Sequence, residues 1–292
     1  MTLRSLLAIV VVTRNRRESL LRTLEKLHRL EAAFPVVVVD NASTDDTLTA
    51  VQQHFPQVQI VQRSTNIGAV ARNDGVRAVR QPFVAFADDD SWWARGSLSR
   101  AAALFQGHPQ LGLIMSRILV GPEERLDPCC ELMARTPLER PLGMPGFPIL
   151  GFVACGAIVR RSAFLNVNGF HELYATSGEE ALLAIELARQ GWRLAYVPEV
   201  VSHHHPSQVR SMNGRYIDGV CNYLWTNWLR RSPRRVVGAT LDILRDAVHD
   251  DVARRGLAAA VRGLPWVIKD RAPVSPAIER QLTLLEKQLK EE

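Results

Sequence analysis

The sequence predicts an α/β fold with a mostly parallel central sheet flanked by helices and a helical C-terminal extension. In the first half of the chain, short apolar runs alternate with amphipathic stretches, and the runs carry apolar residues on both faces. That pattern is typical of strands in a parallel sheet covered by helices on both sides. Beyond Pro206 the apolar residues recur at helical spacing. The 292 residues suffice for one large domain with such an appendage.

Five apolar runs in the first half are predicted strands, over Leu7–Val12, Val36–Asp40, Gln57–Val61, Phe83–Ala87 and Leu111–Met115. Helices are predicted between them, over Ser19–Leu30, Thr44–His54, Ala69–Val79 and Gly96–Gln106. Ser43 and Thr44 precede two aspartates. This pattern favours a helix start, because hydroxyl side chains cap the first turn and acidic residues suit the positive end of the helix dipole.

Residues 118–150 differ, with six prolines, three glycines and weak periodicity. We predict a long irregular connection there, and a loop of that length is more often functional than accidental. Regular structure is predicted to resume over Gly151–Val159, then in a helix over Gly178–Gln190 and strands over Arg193–Val197 and Val200–His204. The remaining predicted helices are Gly214–Arg231, Pro233–Val252, Leu257–Ile268 and Pro276–Glu292. A boundary near residue 206 divides an α/β part, residues 1–205, from the extension, residues 206–292.

The composition is that of an ordinary globular protein, with 47% hydrophobic and 23% charged residues. The net charge of +6 and the pI of about 9.5 favour anionic partners, such as nucleotide phosphates, nucleic acid or an acidic membrane surface. Charge alone does not choose among these. Nucleic acid is not expected as a partner, because the sequence contains no recognisable nucleic-acid-binding module.

The cysteine pattern and the N-terminus predict a cytoplasmic protein. The four cysteines form no C-x-x-C pair and suit neither a zinc site nor a disulfide scaffold, which indicates a reducing compartment. The apolar run Leu6–Val12 is soon followed by Arg14, and no small-residue cleavage site follows it. The run therefore favours a strand over a signal peptide. No segment reaches the roughly 20 apolar residues of a transmembrane helix.

Three aspartates, Asp88, Asp89 and Asp90, directly follow the predicted strand Phe83–Ala87. Ligands of an open α/β sheet gather beyond the carboxyl ends of its strands. Adjacent carboxylates repel one another unless a cation compensates them, and oxygen ligands suit Mg²⁺ or Mn²⁺. The cluster therefore predicts a metal site that bridges to substrate phosphates, and the alternative is a solvated acidic turn.

Three further polar segments lie at or just after predicted strand ends, so all would converge with the aspartates on one edge of the sheet. They are Thr13-Arg14-Asn15-Arg16, Asp40, and the Asn66–Gly75 segment with Gly68 and Arg72. A carboxylate such as Asp40 can bind a base or ribose, and Arg72 can reach a diphosphate. Taken singly, Asp40 is equally suited to a turn and Arg72 to the surface.

Together, four motifs resemble those of family 2 glycosyltransferases, within a rhamnosyltransferase-like branch. The motifs are Val10–Arg16, Val38–Thr47, Asn66-x-Gly68 with Arg72-Asn73-x-Gly75, and Phe86–Asp90. The resemblance covers roughly residues 6–205. It implies the GT-A fold, a nucleotide-diphospho sugar donor and inversion of the anomeric centre, with a donor half over residues 1–117 and an acceptor half over residues 118–205.

The resemblance also implies roles for individual residues. Asp88 and Asp90 would be the D-x-D pair that holds a divalent cation, Mg²⁺ or Mn²⁺, with Asp89 facing the sugar nucleotide. Asp40 would contact the base, and Arg72 would lie near the ribose or the phosphates. The residues expected in the rest of the nucleotide-sugar pocket are Thr13, Arg14, Asn15, Arg16, Asn66 and Gly68.

The same resemblance implies functional roles for two segments in the second half of the chain. Gly178-Glu179-Glu180 matches the position of an acidic pair whose second member is taken as the general base, here Glu180 with Glu179 as the alternative. Glutamate in a first helical turn has a plain structural role as well. In His203-His204-His205, alternate residues of an extended chain share a face. His203 matches the family's metal or diphosphate contact, and His205 is the alternative.

The first helix of the extension combines Trp225 and Trp228 with Arg230 and Arg231. This combination fits a helix at an anionic membrane surface, and packing of the tryptophans onto the rest of the protein is the alternative. The sequence therefore predicts peripheral contact with the inner face of a membrane through the C-terminal helices.

The function expected from all this is metal-assisted, inverting transfer of a hexosyl or deoxyhexosyl group from a UDP- or dTDP-linked donor. The acceptor would be a glycan or lipid-linked saccharide in cell-surface polysaccharide or glycolipid synthesis. Two alternatives stay open, a non-catalytic nucleotide-sugar-binding protein of the same fold and a metal hydrolase built on the histidines. A nicotinamide oxidoreductase is disfavoured, because no G-x-G-x-x-G follows the first strand.

Overall fold

The computed structural model describes residues 2–174, 176–206 and 212–291, without the side chains of Met212 and Asn213. Its strands are β1 Leu7–Thr13, β2 Val36–Asp40, β3 Gln59–Gln62, β4 Phe83–Asp88, β5 Ser91–Trp93, β6 Leu111–Val120, β7 Arg125–Leu126, β8 Phe147–Pro148, β9 Ala157–Arg160 and β10 Arg193–His204. Its helices are α1 Leu3–Leu6, α2 Arg17–His28, α3 Thr47–His54, α4 Arg72–Ala78, α5 Ser97–Gly107, α6 Pro128–Ala134, α7 Arg161–Asn166, α8 Glu179–Arg189, α9 Met212–Arg230, α10 Pro233–Asp246, α11 Asp251–Arg262, α12 Leu264–Asp270 and α13 Pro276–Glu291.

All of these strands belong to one sheet, in the order β3-β2-β1-β4-β9-β6-β10-β5, with β7 on β6 and β8 on β10. The first four strands of this order are parallel to one another, and β6 is parallel to β10. Strand β9 is antiparallel to both β4 and β6 and joins the two parallel parts. The predicted α/β class with a mostly parallel sheet is confirmed.

Strand β1 shows why the sheet is buried on both faces. Its alternate residues enter two separate cores, Ala8 and Val10 on one side and Leu7, Ile9 and Val11 on the other. Helices cover both sides, as apolar runs of this kind require.

Helix α4 approaches β1 very closely because its fourth residue, Gly75, has no side chain. A Cβ on Gly75 would lie 2.3 Å from Cγ1 of Val10 and 3.1 Å from Cγ2 of Val39. Only a residue without a side chain fits at this contact. The close approach fixes the start of α4, where Arg72 lies, against the carboxyl ends of the first strands.

Several predicted elements differ from the observed ones. The connection over residues 118–150 contains α6 and two short strands, and the two strands predicted over 193–204 are one strand, β10. Its register shifts between Val197 and Val201, because Pro198 between them has no N–H for the ladder. The helix predicted to end at Val252 ends at Asp246, and Asp250 caps α11 by accepting the N–H of Val252 at 2.8 Å.

The C-terminal helices pack on the α/β part through a third core that includes Tyr174, Leu182 and Trp228. The indole N–H of Trp225 donates to the carbonyl of Ala260 at 2.9 Å, and that of Trp228 donates to Oγ1 of Thr240 at 2.9 Å. The two tryptophans therefore lie inside the protein, as in the packing alternative.

The arginines of the same segment are also engaged within the protein. Arg230 pairs with Glu186 of α8, and Arg231 pairs with Glu279 and Glu286 of α13. Across the described ranges, no helix is both long and apolar enough to cross a membrane. Membrane contact through these helices and the division near residue 206 both stay predictions.

Candidate active site

The carboxyl ends of β1, β4 and β10 open into one cleft with a volume of about 340 Å³. Of the predicted site residues, those that line it are Thr13, Arg14, Arg16, Gly68, Arg72, Asp88, Asp89, Glu179 and Glu180. The polar segments that follow separate strands thus meet at one edge of the sheet, as parallel topology requires.

The three aspartates are held by different partners. Asp88 ends β4, pairs with Arg72, and has its N–H hydrogen-bonded to Oγ of Ser91 at 2.7 Å. The side chain of Asp90 is 2% exposed, and its Oδ1 lies 3.4 Å from Nε2 of His204. The turn therefore carries fixed carboxylates rather than a solvated acidic surface.

Asp89 lies between the other two and shows the electrostatic cost of the cluster. Burial raises the pKa of Asp89 to about 7, and the charges of Asp90 and Asp88 add to the rise. The hydroxyl of Thr13, which donates to Oδ2 of Asp89 at 3.0 Å, and the charge of Arg16 oppose it. The cluster thus concentrates negative charge in a place where water screens it poorly, and a cation relieves such a charge.

Arg72 connects the aspartates to a pair of glutamates on the opposite wall. It is 8% exposed and donates to Asp88 and to the carbonyl of Ala69. Burial on its own lowers the pKa of Arg72, but the carboxylates of Asp88, Glu179 and Glu180 outweigh it and raise that pKa above its usual value. The arginine is therefore a fixed cation between the two carboxylate groups.

The glutamates begin α8, directly after Gly178, whose φ of 90° suits glycine. Oε1 of Glu180 accepts the N–H of Ala154 at 3.4 Å, and the residue is half-buried. Glu179 is 7% exposed, and its Oε2 has no hydrogen-bond partner in the described parts of the chain. Burial raises the pKa of Glu179, the charge of Glu180 raises it further, and Arg72 opposes the rise.

The histidines are arranged differently from the expectation. His203 and His205 do share one face of β10, but the opposite face, which carries His204, is the one that meets the aspartates. Strand β10 pairs with β5 so that His204 lies opposite Ser91, next to Asp90. His203 and His205 contact Trp92 instead, at ring-centroid distances of 5.5 and 4.6 Å. The three histidines do not converge on one point, so their arrangement does not support a hydrolase built on them.

The family to which this architecture belongs follows from comparison with known proteins. The family model described as "Glycosyl transferase family 2" matches residues 8–167. The chain belongs to this family. The match includes β1 to β9 and the aspartates, whereas the glutamate pair and His204 lie beyond it.

Two relatives from Mycobacterium tuberculosis (strain ATCC 25618 / H37Rv) illustrate the similarity. One is named N-acetylglucosaminyl-diphospho-decaprenol L-rhamnosyltransferase and is 27% identical over 240 residues, 68% of this chain and 76% of the relative. The other is named pre-mycofactocin glycosyltransferase and is 33% identical over 221 residues, 71% of this chain and 44% of the relative. The chain thus matches less than half of the second relative.

Solved structures share the fold at low sequence identity. Staphylococcus aureus TarS 1-349 in complex with UDP-GlcNAc aligns with a TM-score of 0.60 and 20% identity, covering 89% of this chain and 73% of that one. The mannosyltransferase PcManGT from Pyrobaculum calidifontis, in complex with GDP-Man and Mn²⁺, aligns with a TM-score of 0.60 and 18% identity, covering 98% and 87%. The fold of this family 2 glycosyltransferase is therefore of the GT-A type.

Of the predicted site residues, six do not line the cleft of this glycosyltransferase: Asn15, Asp40, Asn66, Asp90, His203 and His205. The first three form hydrogen bonds within the surrounding loops. The carboxylate of Asp40 is fully buried and accepts the N–H of Ser43 at 3.2 and 3.3 Å. Oδ1 of Asn15 accepts the N–H of Thr44 at 2.7 Å, and Oδ1 of Asn66 accepts that of Gly68 at 3.0 Å. These side chains hold the loops that follow β1, β2 and β3.

Five cleft residues that could bind a ligand through a polar or thiol side chain were absent from the sequence prediction: Asn41, Cys155, Thr176, His204 and Arg215. Asn41 could have been found, since it follows Asp40 at a strand end, and it clamps the Gly68 turn through the Gly68 carbonyl at 3.0 Å and the Ile67 N–H at 2.9 Å. Cys155 and Arg215 carry no local signal. Arg215 reaches the cleft from α9, in the segment assigned to the extension.

We expect Glu179→Gln to stabilise the glycosyltransferase at alkaline pH. Because the folded-state pKa of Glu179 is raised by burial and by Glu180, with Arg72 in opposition, its stability contribution falls as pH rises from the ordinary carboxyl range through the raised pKa. Glutamine stays neutral. The gain over wild type should be near zero at about pH 3.5, below the ordinary carboxyl pKa, and at least about 1 kcal/mol at about pH 9.

Urea unfolding of the two proteins at both pH values measures this difference. Glu186→Gln, on the same helix, is the matched control, because Glu186 pairs with Arg189 and Arg230 and its loss should destabilise. A change in the free energy of unfolding that is the same at both pH values would contradict a raised pKa of Glu179 in the folded protein.

Proposed function

We propose that this chain transfers a sugar from a nucleoside diphosphate sugar to an acceptor hydroxyl, with inversion at the anomeric carbon. Glu180 is the general base, and Asp88, Asp90 and His204 hold a divalent cation. The observation that carries the proposal is the cleft in which Asp88, Asp89, Arg72 and the half-buried Glu180 face one another, with Asp90 beside the cleft residue His204.

The donor lies on the side of β1 and β4 in this proposal. Thr13, Arg16 and Asn41 line that side, and Arg215 adds a cation from α9. Arginines suit diphosphates because a guanidinium presents several N–H donors in a fork. The solved neighbours support such a donor, since their structures contain UDP, UDP-GlcNAc and GDP-Man.

The residues beside the aspartates fit a divalent cation. Two carboxylates and an imidazole come together, Asp90 and His204 at 3.4 Å, and burial together with the charges of Asp90 and Asp88 raises the pKa of Asp89 beside them. Such ligands suit Mg²⁺ or Mn²⁺. When bound, the cation supplies positive charge to the departing diphosphate. PcManGT and GalNAc-T7, which share the fold, were crystallised with Mn²⁺.

A side chain of this protein removes the proton of the acceptor hydroxyl in the proposed reaction. The acceptor oxygen forms a bond to the anomeric carbon on the face opposite the diphosphate, whose bond to that carbon breaks with its electron pair. Glu180 takes the proton of the attacking hydroxyl. Burial raises the pKa of the neighbouring Glu179, which favours its protonated form and so limits the charge on that wall. One base suffices, because inverting transfer forms no covalent glycosyl-enzyme.

For the acceptor, we propose a glycan or lipid-linked saccharide of the cell surface. One relative's name specifies a diphospho-decaprenol acceptor, and that of Staphylococcus aureus TarS specifies poly(ribitol-phosphate). The rhamnosyltransferase name favours a deoxyhexose, carried by dTDP or UDP, as the transferred sugar.

Product analysis tests the proposed function. The protein is incubated with Mn²⁺ and a panel of UDP-, dTDP- and GDP-sugars, with simple glycosides as acceptors, and NMR reports the anomeric configuration of the product. We expect one donor to be consumed with inversion. A product of retained configuration would contradict the single-base mechanism, and donor binding without turnover would favour the non-catalytic alternative.

A further inference from the structure

A cysteine lies beside the aspartates at the candidate metal site. Cys155 is 3% exposed and belongs to a 3-10 turn, Ala154–Gly156, that precedes β9. Its Sγ, a carboxylate oxygen of Asp88 and a ring nitrogen of His204 all lie within 4.8 Å of one another. Three different elements therefore bring a sulfur, an oxygen and a nitrogen ligand to one point.

The fold fixes the position of this sulfur. Strand β9 lies between β4, which ends at Asp88, and β6, the neighbour of β10. The turn before β9 can approach β6 only because residue 156 is glycine, since a Cβ there would lie 2.8 Å from Oγ of Ser116 and from Cγ1 of Ile118. The thiol is thus directed towards the cleft by backbone packing.

His204 supplies a second, independent observation. Its Nε2 is buried and has no hydrogen-bond partner in the described parts of the chain, although it faces Oδ1 of Asp90 at 3.4 Å. Buried ring nitrogens are nearly always hydrogen-bonded or bound to a ligand. This nitrogen is therefore suited to a metal ion.

The three ligands suit a softer metal than the one the donor site uses. Thiolate and imidazole favour Zn²⁺, Co²⁺ and Cd²⁺, whereas Mg²⁺ takes oxygen ligands only. A tetrahedral Zn²⁺, with bonds of about 2.0–2.3 Å, separates its ligand atoms by roughly 3.5 Å. The observed ligand atoms, all within 4.8 Å of one another, lie close to that spacing.

We propose that Asp88, Cys155 and His204 form a thiolate-containing site that binds Zn²⁺ and competes with the oxygen-preferring cation of the donor site. The competition rests on the proposed function, because Asp88 and His204 serve both ions. Binding of Zn²⁺ to the protein does not depend on the proposed function, because it is measured without a nucleotide. Zn²⁺ bound in this way removes two ligands from the donor-site cation and inhibits transfer.

Cobalt substitution tests the site directly. Co²⁺ added to the full chain should give a thiolate-to-metal charge-transfer band in the near ultraviolet, and Zn²⁺ should abolish it. Cys155→Ala and Cys155→Ser should both lose the band and bind Zn²⁺ at least about tenfold more weakly in calorimetry. Cys221→Ala, which removes a buried thiol of the C-terminal core, should keep both signals.

The outcomes separate this inference from the proposed function. Absence of the band in the wild-type protein would overturn the inference, and so would a band that survives in both Cys155 variants. A Cys155 variant that keeps Mn²⁺-dependent donor binding but loses tight Zn²⁺ binding is the expected result. If the band behaves as expected while no sugar nucleotide binds, the proposed function fails and the zinc site stands.

Discussion

Replacing Glu180 by glutamine should lower kcat for sugar transfer by about 10²–10⁴-fold and leave donor affinity nearly unchanged. A positioned base contributes a factor of that size. Glu180 lies on the wall opposite the aspartates and contacts the N–H of Ala154, so the substitution leaves the donor side intact. Steady-state kinetics with varied donor and acceptor separate the two parameters.

Glu179→Gln is the matched control for this variant, because the two glutamates are adjacent on α8. We expect Glu179→Gln to retain measurable turnover with an altered pH profile, since Glu179 is buried and the substitution removes its own raised pKa from the site. Loss of turnover in Glu179→Gln with full activity in Glu180→Gln would transfer the role of base to Glu179. Full activity in both variants would exclude a carboxylate base on this helix.

The second large effect is expected from Asp90→Asn, which should abolish metal-dependent donor binding. Asparagine has nearly the same shape but lacks the charge that a hard divalent cation requires. The folded protein should not lose stability, because Asp90 is one of the charges that raise the pKa of Asp89. Loss of function without loss of stability is the signature of a ligand residue.

Thermal unfolding and donor turnover measured on the same samples test this expectation. Asp46→Asn is the control, because Asp46 forms an exposed ion pair with Arg17 and should leave turnover unchanged. A markedly lower unfolding temperature for Asp90→Asn would instead indicate a structural role for that carboxylate.

The donor half of this fold was predictable because its signals are local. Strand β2 has the predicted bounds, Val36–Asp40, since four consecutive valines between Pro35 and Asp40 can be buried on both faces only in a covered sheet. The position of Asp88 at the end of β4 followed from the same pattern. Strand ends in a parallel sheet then bring Arg72 and the aspartates together without further information.

The remainder depends on contacts between distant segments. The two-residue period of a strand predicts that the side chain of His204 points to the face opposite to those of His203 and His205. Which of the two faces meets Asp90 depends on the pairing of β10 with β5. The approach of Cys155 to Asp88 depends on the antiparallel insertion of β9. An amphipathic helix with tryptophans fits a membrane or a protein core equally well, and Trp225 lies in a core formed with α11 and α12.

Calorimetric titration of sugar nucleotides into the wild-type protein, with Mn²⁺ and with a chelator, tests the central claim most directly. We predict that one UDP-, dTDP- or GDP-sugar binds in a one-to-one ratio when Mn²⁺ is present and that the chelator or Asp90→Asn removes the binding. Failure of every donor to bind, or binding that neither the chelator nor Asp90→Asn weakens, would contradict the assignment of this cleft as a metal-assisted donor site.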